Sequence, residues 1–307
     1  MRIKALVWIP CIFFAILAFF SIAFFSRKPV LLVTDKPFEL LYGENRSRQR
    51  QYMLSLQLFR RIKTIRIAED AGPDLVAQAA ASLSRRPFAA IFPYRYWEGA
   101  QRYLSDRPHH TVIILGGRNN GESQVYDTNG SPAPLWLFTD TETDLFRAGA
   151  ISGLYALGGG VGTDLNIALY MEGLSETDKT AFSRGVAEYW PVGPLFSPEL
   201  EENHLVCAVL MNNFQFSIEN NPRSLILFSW MNPLFAVKNT LAIFDDSPWA
   251  QIRAAVAFLQ GRNSHSDAIY IVPSEIILIG RDMMPKNHQI EVNKVKNLRY
   301  WPENADN

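Results

Sequence analysis

Two rhythms of hydrophobic and polar positions run along this chain. Short continuous apolar runs rich in Val, Ile and Leu alternate with longer stretches in which apolar residues recur every third or fourth position. The first kind reads as a strand buried on both faces, the second as an amphipathic helix. Residues 30–34, 64–68, 88–92, 111–115 and 135–138 predict five strands. Between them, 45–62 predicts a helix with Tyr52, Leu56 and Phe59 facing inward. Gly72-Pro73-Asp74 opens another, with Leu75, Val76, Ala79 and Leu83 inward, because proline suits a first helical turn. A third helix is expected over 96–104, and 116–133 is polar and turn-rich, with Asn129-Gly130 as a tight turn. The alternation then repeats. Helices are expected at 143–157, 175–189 and 248–260, and strands at 165–170, 205–210, 225–228 and 241–244. Two short strands, 268–272 and 275–279, close the pattern, and the polar tail from Pro285 is expected to be loosely held. Strand and helix alternating over short links predict an α/β fold of two doubly wound parallel-sheet lobes.

The N-terminus breaks this rhythm. Ala5 to Phe25 carries no charge and no polar face, and Met1-Arg2-Ile3-Lys4 precedes it. A bilayer core needs about 20 apolar residues in a helix, and a positive start is the mark of an export signal. The stretch reads as an uncleaved signal anchor, one N-terminal transmembrane helix. Cleavage after Ser21-Ile22-Ala23 is the alternative, although Phe24 and Phe25 follow that site. Cys11 follows Trp8-Ile9-Pro10, a poor match for a lipoprotein acceptor. The expected division is therefore 1–28 anchor, 29–140 first lobe, 141–262 second lobe, 263–284 return strands and 285–307 tail.

Composition narrows the function. The chain has 307 residues, 48% hydrophobic and 20% charged, with no net charge. That is ordinary for a globular protein. Arg2, Lys4, Arg27 and Lys28 stand before any acidic residue, so the remainder is mildly acidic. No concentrated basic face suggests nucleic acid. The basic stretch from Arg46 to Arg61 is interleaved with apolar residues and reads as the solvated side of a helix. The two cysteines, Cys11 and Cys207, lie in different phases, so no internal disulfide is expected.

Three stretches carry a family resemblance. Leu31-Leu32-Val33-Thr34-Asp35 is a first strand ending in aspartate. Thr141-Glu142-Thr143-Asp144-Leu145-Phe146-Arg147-Ala148-Gly149, running on to Leu154, looks like an acidic-then-Ala-Gly crossover helix. Thr240-Leu241-Ala242-Ile243-Phe244-Asp245-Asp246-Ser247-Pro248-Trp249 runs into the helix ending at Gly261. In their order and spacing these resemble the type I periplasmic-binding-protein superfamily, which includes sugar receptors, the sensor domains of lac-repressor-like regulators and purine-nucleoside receptors of the basic-membrane-protein branch. The resemblance implies two lobes joined by a hinge, with a small polar ligand, a nucleoside or sugar, held between them for transport or sensing. It also implies a place on the periplasmic side of a bacterial cytoplasmic membrane, with an ABC permease or envelope receptor as partner. One departure stands out. Asp35 is followed by Lys36-Pro37-Phe38-Glu39 and not by the Ser-Phe-Asn of the nucleoside receptors, so specificity does not carry across.

In that fold the residues just after each strand meet the ligand. They are Asp35 and Phe38, then Tyr94 with Arg95, Tyr96 and Trp97, then Arg118, with Asp140 at the crossover. The second half adds Glu172, Asn212 with Asn213 and Phe214, Trp230 with Asn232, and Asp245 with Asp246. Aromatic faces stack on sugars or bases, and carboxylates and amides bind hydroxyl and NH groups. Trp230 is the favoured stacking wall. Each also has a plain structural reading: Asp35 can cap a turn, Tyr94, Tyr96 and Trp97 can pack a helix, and Asp245-Asp246 before Ser247-Pro248 can start one.

Catalytic patterns are mostly absent. Gly116-Gly117-Arg118-Asn119-Asn120-Gly121 follows a strand but lacks the lysine of a phosphate loop, and no Gly-x-Ser-x-Gly elbow occurs. The five histidines are scattered without metal spacing. The expectation is a binding protein rather than an enzyme, with no cofactor and no metal. The alternative is a ligand-free structural or interaction protein of the envelope that reuses the fold.

Overall fold

The computed structural model describes residues 2–36, 39, 44–82, 86–118, 134–158, 166–196, 199, 201, 203–209, 224–228, 239–246, 248–261 and 269–301. The chain divides into two compact units. One comprises Met1–Ile114, Tyr126–Trp136 and Ile252–Ala268, the other Leu115–Val125, Leu137–Gln251 and Ile269–Asn307.

The strands are β1 (Val30–Thr34), β2 (Ile62–Arg66), β3 (Ala89–Pro93), β4 (Val112–Arg118), β5 (Leu135–Thr139), β6 (Asn166–Tyr170), β7 (Leu195–Phe196), β8 (His204–Val209), β9 (Ser224–Phe228), β10 (Thr240–Asp245), β11 (Ile269–Val272) and β12 (Glu275–Leu278). They form two six-stranded sheets, ordered β11-β5-β4-β3-β1-β2 and β12-β10-β9-β8-β6-β7. Both follow the doubly wound 2-1-3-4-5 order, with a closing strand added at one edge. β1 pairs in parallel with β2 and β3. In the second sheet β6 pairs in parallel with β7 and β8, β8 with β9, and β9 with β10, while β12 runs antiparallel to β10. Every residue of β1, β3, β9 and β10 is buried, as expected of parallel strands covered on both faces. Sequence and structure agree closely on these strands because continuous apolar runs with β-branched residues have no other comfortable home.

The helices are α1 (Arg2–Ser26), α2 (Glu44–Leu58), α3 (Pro73–Ala81), α4 (Trp97–Asp106), α5 (Thr141–Leu157), α6 (Glu176–Ala187), α7 (Pro248–Leu259) and α8 (Lys286–Val295). Ser175 caps α6: its hydroxyl accepts from the Asp178 N–H, and the Asp178 carboxylate accepts from the Ser175 N–H in return.

Several expectations are corrected. The helix expected over 45–62 stops at Leu58, where Phe59 takes φ 48° and the chain turns directly into β2. Among its described side chains the buried ones are Leu54 and Leu58; Tyr52 and Leu56 stand 64% and 50% exposed. In α3, Val76, Ala77 and Ala80 face inward and Leu75 is exposed. The tail expected to be loose forms α8, whose Val292 and Val295 are fully buried in the core of the second unit. The closing strands separate: β11 joins the first sheet and β12 the second.

The expected N-terminal helix is present as α1. Among the described residues no helix is long and apolar enough to cross a membrane.

The Ala-Gly pattern of α5 has a packing cause. A Cβ on Gly149 would collide with the Phe182 carbonyl, and one on Gly185 with the Phe146 carbonyl, so α5 and α6 touch backbone to backbone. Gly185→Ala should wedge them apart and lower stability by about 1–3 kcal/mol, read as a lower urea midpoint. A midpoint equal to that of the unmodified protein would contradict this packing.

Candidate functional site

A doubly wound sheet collects polar chemistry at the carboxyl ends of its strands, at the point where the strand order reverses. In the first sheet that point lies between β1 and β3. Asp35 follows β1 and is fully buried. Tyr94 to Tyr96 follow β3 as a single 3₁₀ turn leading into α4. The two segments meet: Arg95 Nη1 lies 2.9 Å from Asp35 Oδ2, and the Tyr96 hydroxyl donates to the same oxygen at 2.9 Å. The Tyr96 oxygen also lies 3.2 Å from the Ala68 carbonyl. Burial, and then the Asp35 charge, push the Tyr96 phenol well above its ordinary range. Just upstream, the Thr34 hydroxyl donates to Glu39, which lies 3.5 Å from Arg66.

Beside this group stands an aromatic cluster. Tyr94 and Trp97 are half-buried, and each ring centroid lies 6.2 Å from that of Trp136 in β5. Trp136 is buried.

The second unit holds a separate polar chain. Asp245 ends β10, Asp246 follows, and both are buried. Asp246 Oδ2 accepts from the Thr139 hydroxyl at 2.9 Å. Gln251, one turn into α7 and 1% exposed, reaches the Thr139 oxygen through Nε2 at 3.3 Å and accepts the Gly116 N–H through Oε1. The ends of β4, β5 and β10 are thus joined by side chains that satisfy one another in a dry setting, where an unmet polar group is costly. Neither Thr139 nor Gln251 stood out in the sequence. The available signal was a glutamine on the inward stripe of α7, in phase with the buried Ala255.

The remaining candidates lie apart. Asp140 caps α5, accepting from the Thr143 N–H at 3.1 Å and from Arg299 Nη1 at 3.1 Å. Glu172 is exposed in the turn after β6. Arg118 ends β4, and its side chain falls outside the described residues, as do Phe38, Asn212, Asn213, Phe214, Trp230 and Asn232. Among the described residues no group of His, Cys, Asp or Glu could hold a metal ion.

No family model and no curated protein matches the sequence. Solved structures do match. An ABC transporter system solute-binding protein from Conexibacter woesei DSM 14684 is 11% identical, with a TM-score of 0.54 over 90% of this chain and 99% of that chain. An ABC transporter periplasmic solute-binding protein from Actinobacillus succinogenes 130z, with bound D-allose, is 11% identical with a TM-score of 0.45, covering 82% and 97%. A carbohydrate transporter solute-binding protein from Agrobacterium radiobacter, in complex with D-arabinose, is 13% identical with a TM-score of 0.42, covering 89% and 99%. The chain has the fold of the type I periplasmic binding proteins, in a divergent form.

The Tyr96 geometry makes a pH prediction. An unfolded phenol titrates near about 10, and the folded one higher, so the folded state holds this proton more tightly. Stability is full below about pH 10 and falls as the pH rises beyond it. Tyr96→Phe should cost about 1–3 kcal/mol at neutral pH and flatten part of the alkaline decline, measured by urea unfolding across pH. An unchanged alkaline slope would mean that the phenol titrates freely.

Proposed function

We propose that this chain is an extracytoplasmic solute-binding protein that takes a small polar ligand of the sugar class, with a nucleoside as the second ligand class. It binds rather than catalyses, and an ABC permease or an envelope receptor is the partner that reads its loaded state. The observation that carries this reading is the placement of buried polar groups. In a fold otherwise apolar along its strands, Asp35 at the end of β1 and the Thr139–Asp246–Gln251 chain at the ends of β5 and β10 hold carboxylates, a hydroxyl and an amide in dry surroundings. Those are the groups that bind hydroxyls in a partly dry site. Tyr94 adds a half-buried ring beside one of them.

In this reading α1 holds the protein at the cytoplasmic membrane as an uncleaved anchor. Its described apolar side chains support it: Phe13, Phe14, Phe19 and Ile22 are each more than half exposed. Phenylalanines on every side of a helix are stable in lipid and costly in water.

One observation favours a second reading. The Asp35 carboxylate is already engaged by Arg95 and Tyr96, as in a site closed by its own side chains. A relative that kept the fold, lost the ligand and serves as an envelope partner would look like this.

A thermal-shift screen of the full chain in detergent, against aldopentoses, aldohexoses, nucleosides and amino acids, separates the two. Ligand at about 100 times its Kd adds about 2.7 kcal/mol, or roughly 5–10 °C for a protein of this size. A saturable rise with one sugar class, lost in Tyr94→Ala or Asp246→Asn, is the expected result. Cooperative melting with no rise for any class would favour the ligand-free reading.

A further inference from the structure

The exit of α1 is built from aromatic rings and basic residues. Phe59, the left-handed residue that ends α2, sits edge-on to Phe20 and Phe24 of α1, at 6.1 and 5.6 Å between centroids. Around this contact lie four basic residues. Arg27 stands over the Phe59 ring at 4.9 Å, and Arg61 lies 5.6 Å from the Phe25 ring. Arg60 stands over Phe88 at 3.7 Å and donates from Nη1 to the Lys28 carbonyl at 3.1 Å. Among the described residues, no carboxylate comes within salt-bridge range of Arg27, Lys28, Arg60 or Arg61. The Arg61 Nε is buried without a hydrogen-bond acceptor. Burial, and then the neighbouring Arg27 charge, lower the Arg60 pKa.

The helix leading into this collar turns apolar residues outward. Tyr52, Met53 and Leu56 of α2 are 64%, 49% and 50% exposed, at helical spacing, and the Phe59 N–H bonds to the Leu56 carbonyl one turn on. Ordinary solvation does not ask for a Tyr-Met-Leu stripe beside four cations. A bilayer surface does: apolar side chains enter the headgroup boundary while Lys and Arg meet lipid phosphates.

We infer that the exposed side of α2, with Arg27, Lys28, Arg60 and Arg61, is a seat for anionic phospholipid headgroups that fixes the first unit against the membrane from which α1 emerges. This rests on the anchoring reading of α1. The occupant follows from charge complementarity and from continuity with α1: four cations with no carboxylate partner among the described residues adjoin a helix whose described side chains are mostly apolar and exposed.

The test uses the full chain in nanodiscs of phosphatidylcholine alone, and of phosphatidylcholine with phosphatidylglycerol as about one lipid in three. Amide exchange over residues 44–61 is read in each, and membrane retention is read separately by alkaline carbonate washing of proteoliposomes. In anionic discs exchange over 44–61 should slow roughly tenfold or more, and raised salt should remove most of that protection. Arg27→Gln with Lys28→Gln, which leaves Arg60 and Arg61 in place, should weaken it, as should Leu56→Ser with Tyr52→Ser. Equal exchange in both lipids, from protein that resists the wash, would overturn the seat and leave the anchor standing. Release by the wash would remove the anchor and the seat with it.

Discussion

A parallel strand buried on both faces can offer chemistry only at its ends. Ladder bonds consume its backbone along its length, and its side chains on both sides are walled in by helices. In this chain β1, β3, β9 and β10 are buried at every position. Polar groups are thereby pushed to the strand ends and the residues that follow them: Asp245 is the last residue of β10, and Asp35 and Asp246 come directly after β1 and β10. The same constraint explains the helices, since each sheet needs both faces covered and the chain must cross over after each strand to cover them.

Groups placed at strand ends are not automatically wet. Asp35, Thr139, Asp246 and Gln251 are all buried, and each meets a partner. Their networks tie strands that are distant in sequence. The same device recurs away from the strand ends: Asp144, buried inside α5, accepts from the Ser274 N–H and hydroxyl and so fixes the link between β11 and β12. The C-terminal segment is held likewise, with Arg147 Nε donating to the Leu298 carbonyl and the Tyr300 N–H to the Thr143 hydroxyl. These contacts give the Thr141–Leu157 helix, distinctive in the sequence, a structural task.

Strand positions were legible in the sequence because apolar runs such as Leu31–Val33 and Leu225–Phe228 have few alternatives once buried. Helix faces were less so. Tyr52 and Leu56 share one stripe of α2 and Leu54 and Leu58 another, and nothing in local spacing says which stripe meets the sheet. The α8 segment was missed because its sequence is polar and its anchors, Val292 and Val295, are only two. At the candidate site, Asp35 and its neighbours after β3 could be named from strand ends. That Arg95 and Tyr96 would bond to Asp35 depends on β1 and β3 lying side by side, a fact of strand order rather than of composition. Gln251 and Thr139 escaped notice because their meeting joins residues more than a hundred positions apart.

The proposed ligand chemistry lies at the carboxyl ends of these strands. Hydrogen exchange of the full chain in detergent, with and without a millimolar-range mixture of aldopentoses and aldohexoses, tests this most directly. Slowed exchange is expected in segments that follow β1 and β3, or in those that follow β5 and β10, and not elsewhere. Exchange unchanged throughout, or slowed at the opposite ends of those strands, would contradict it.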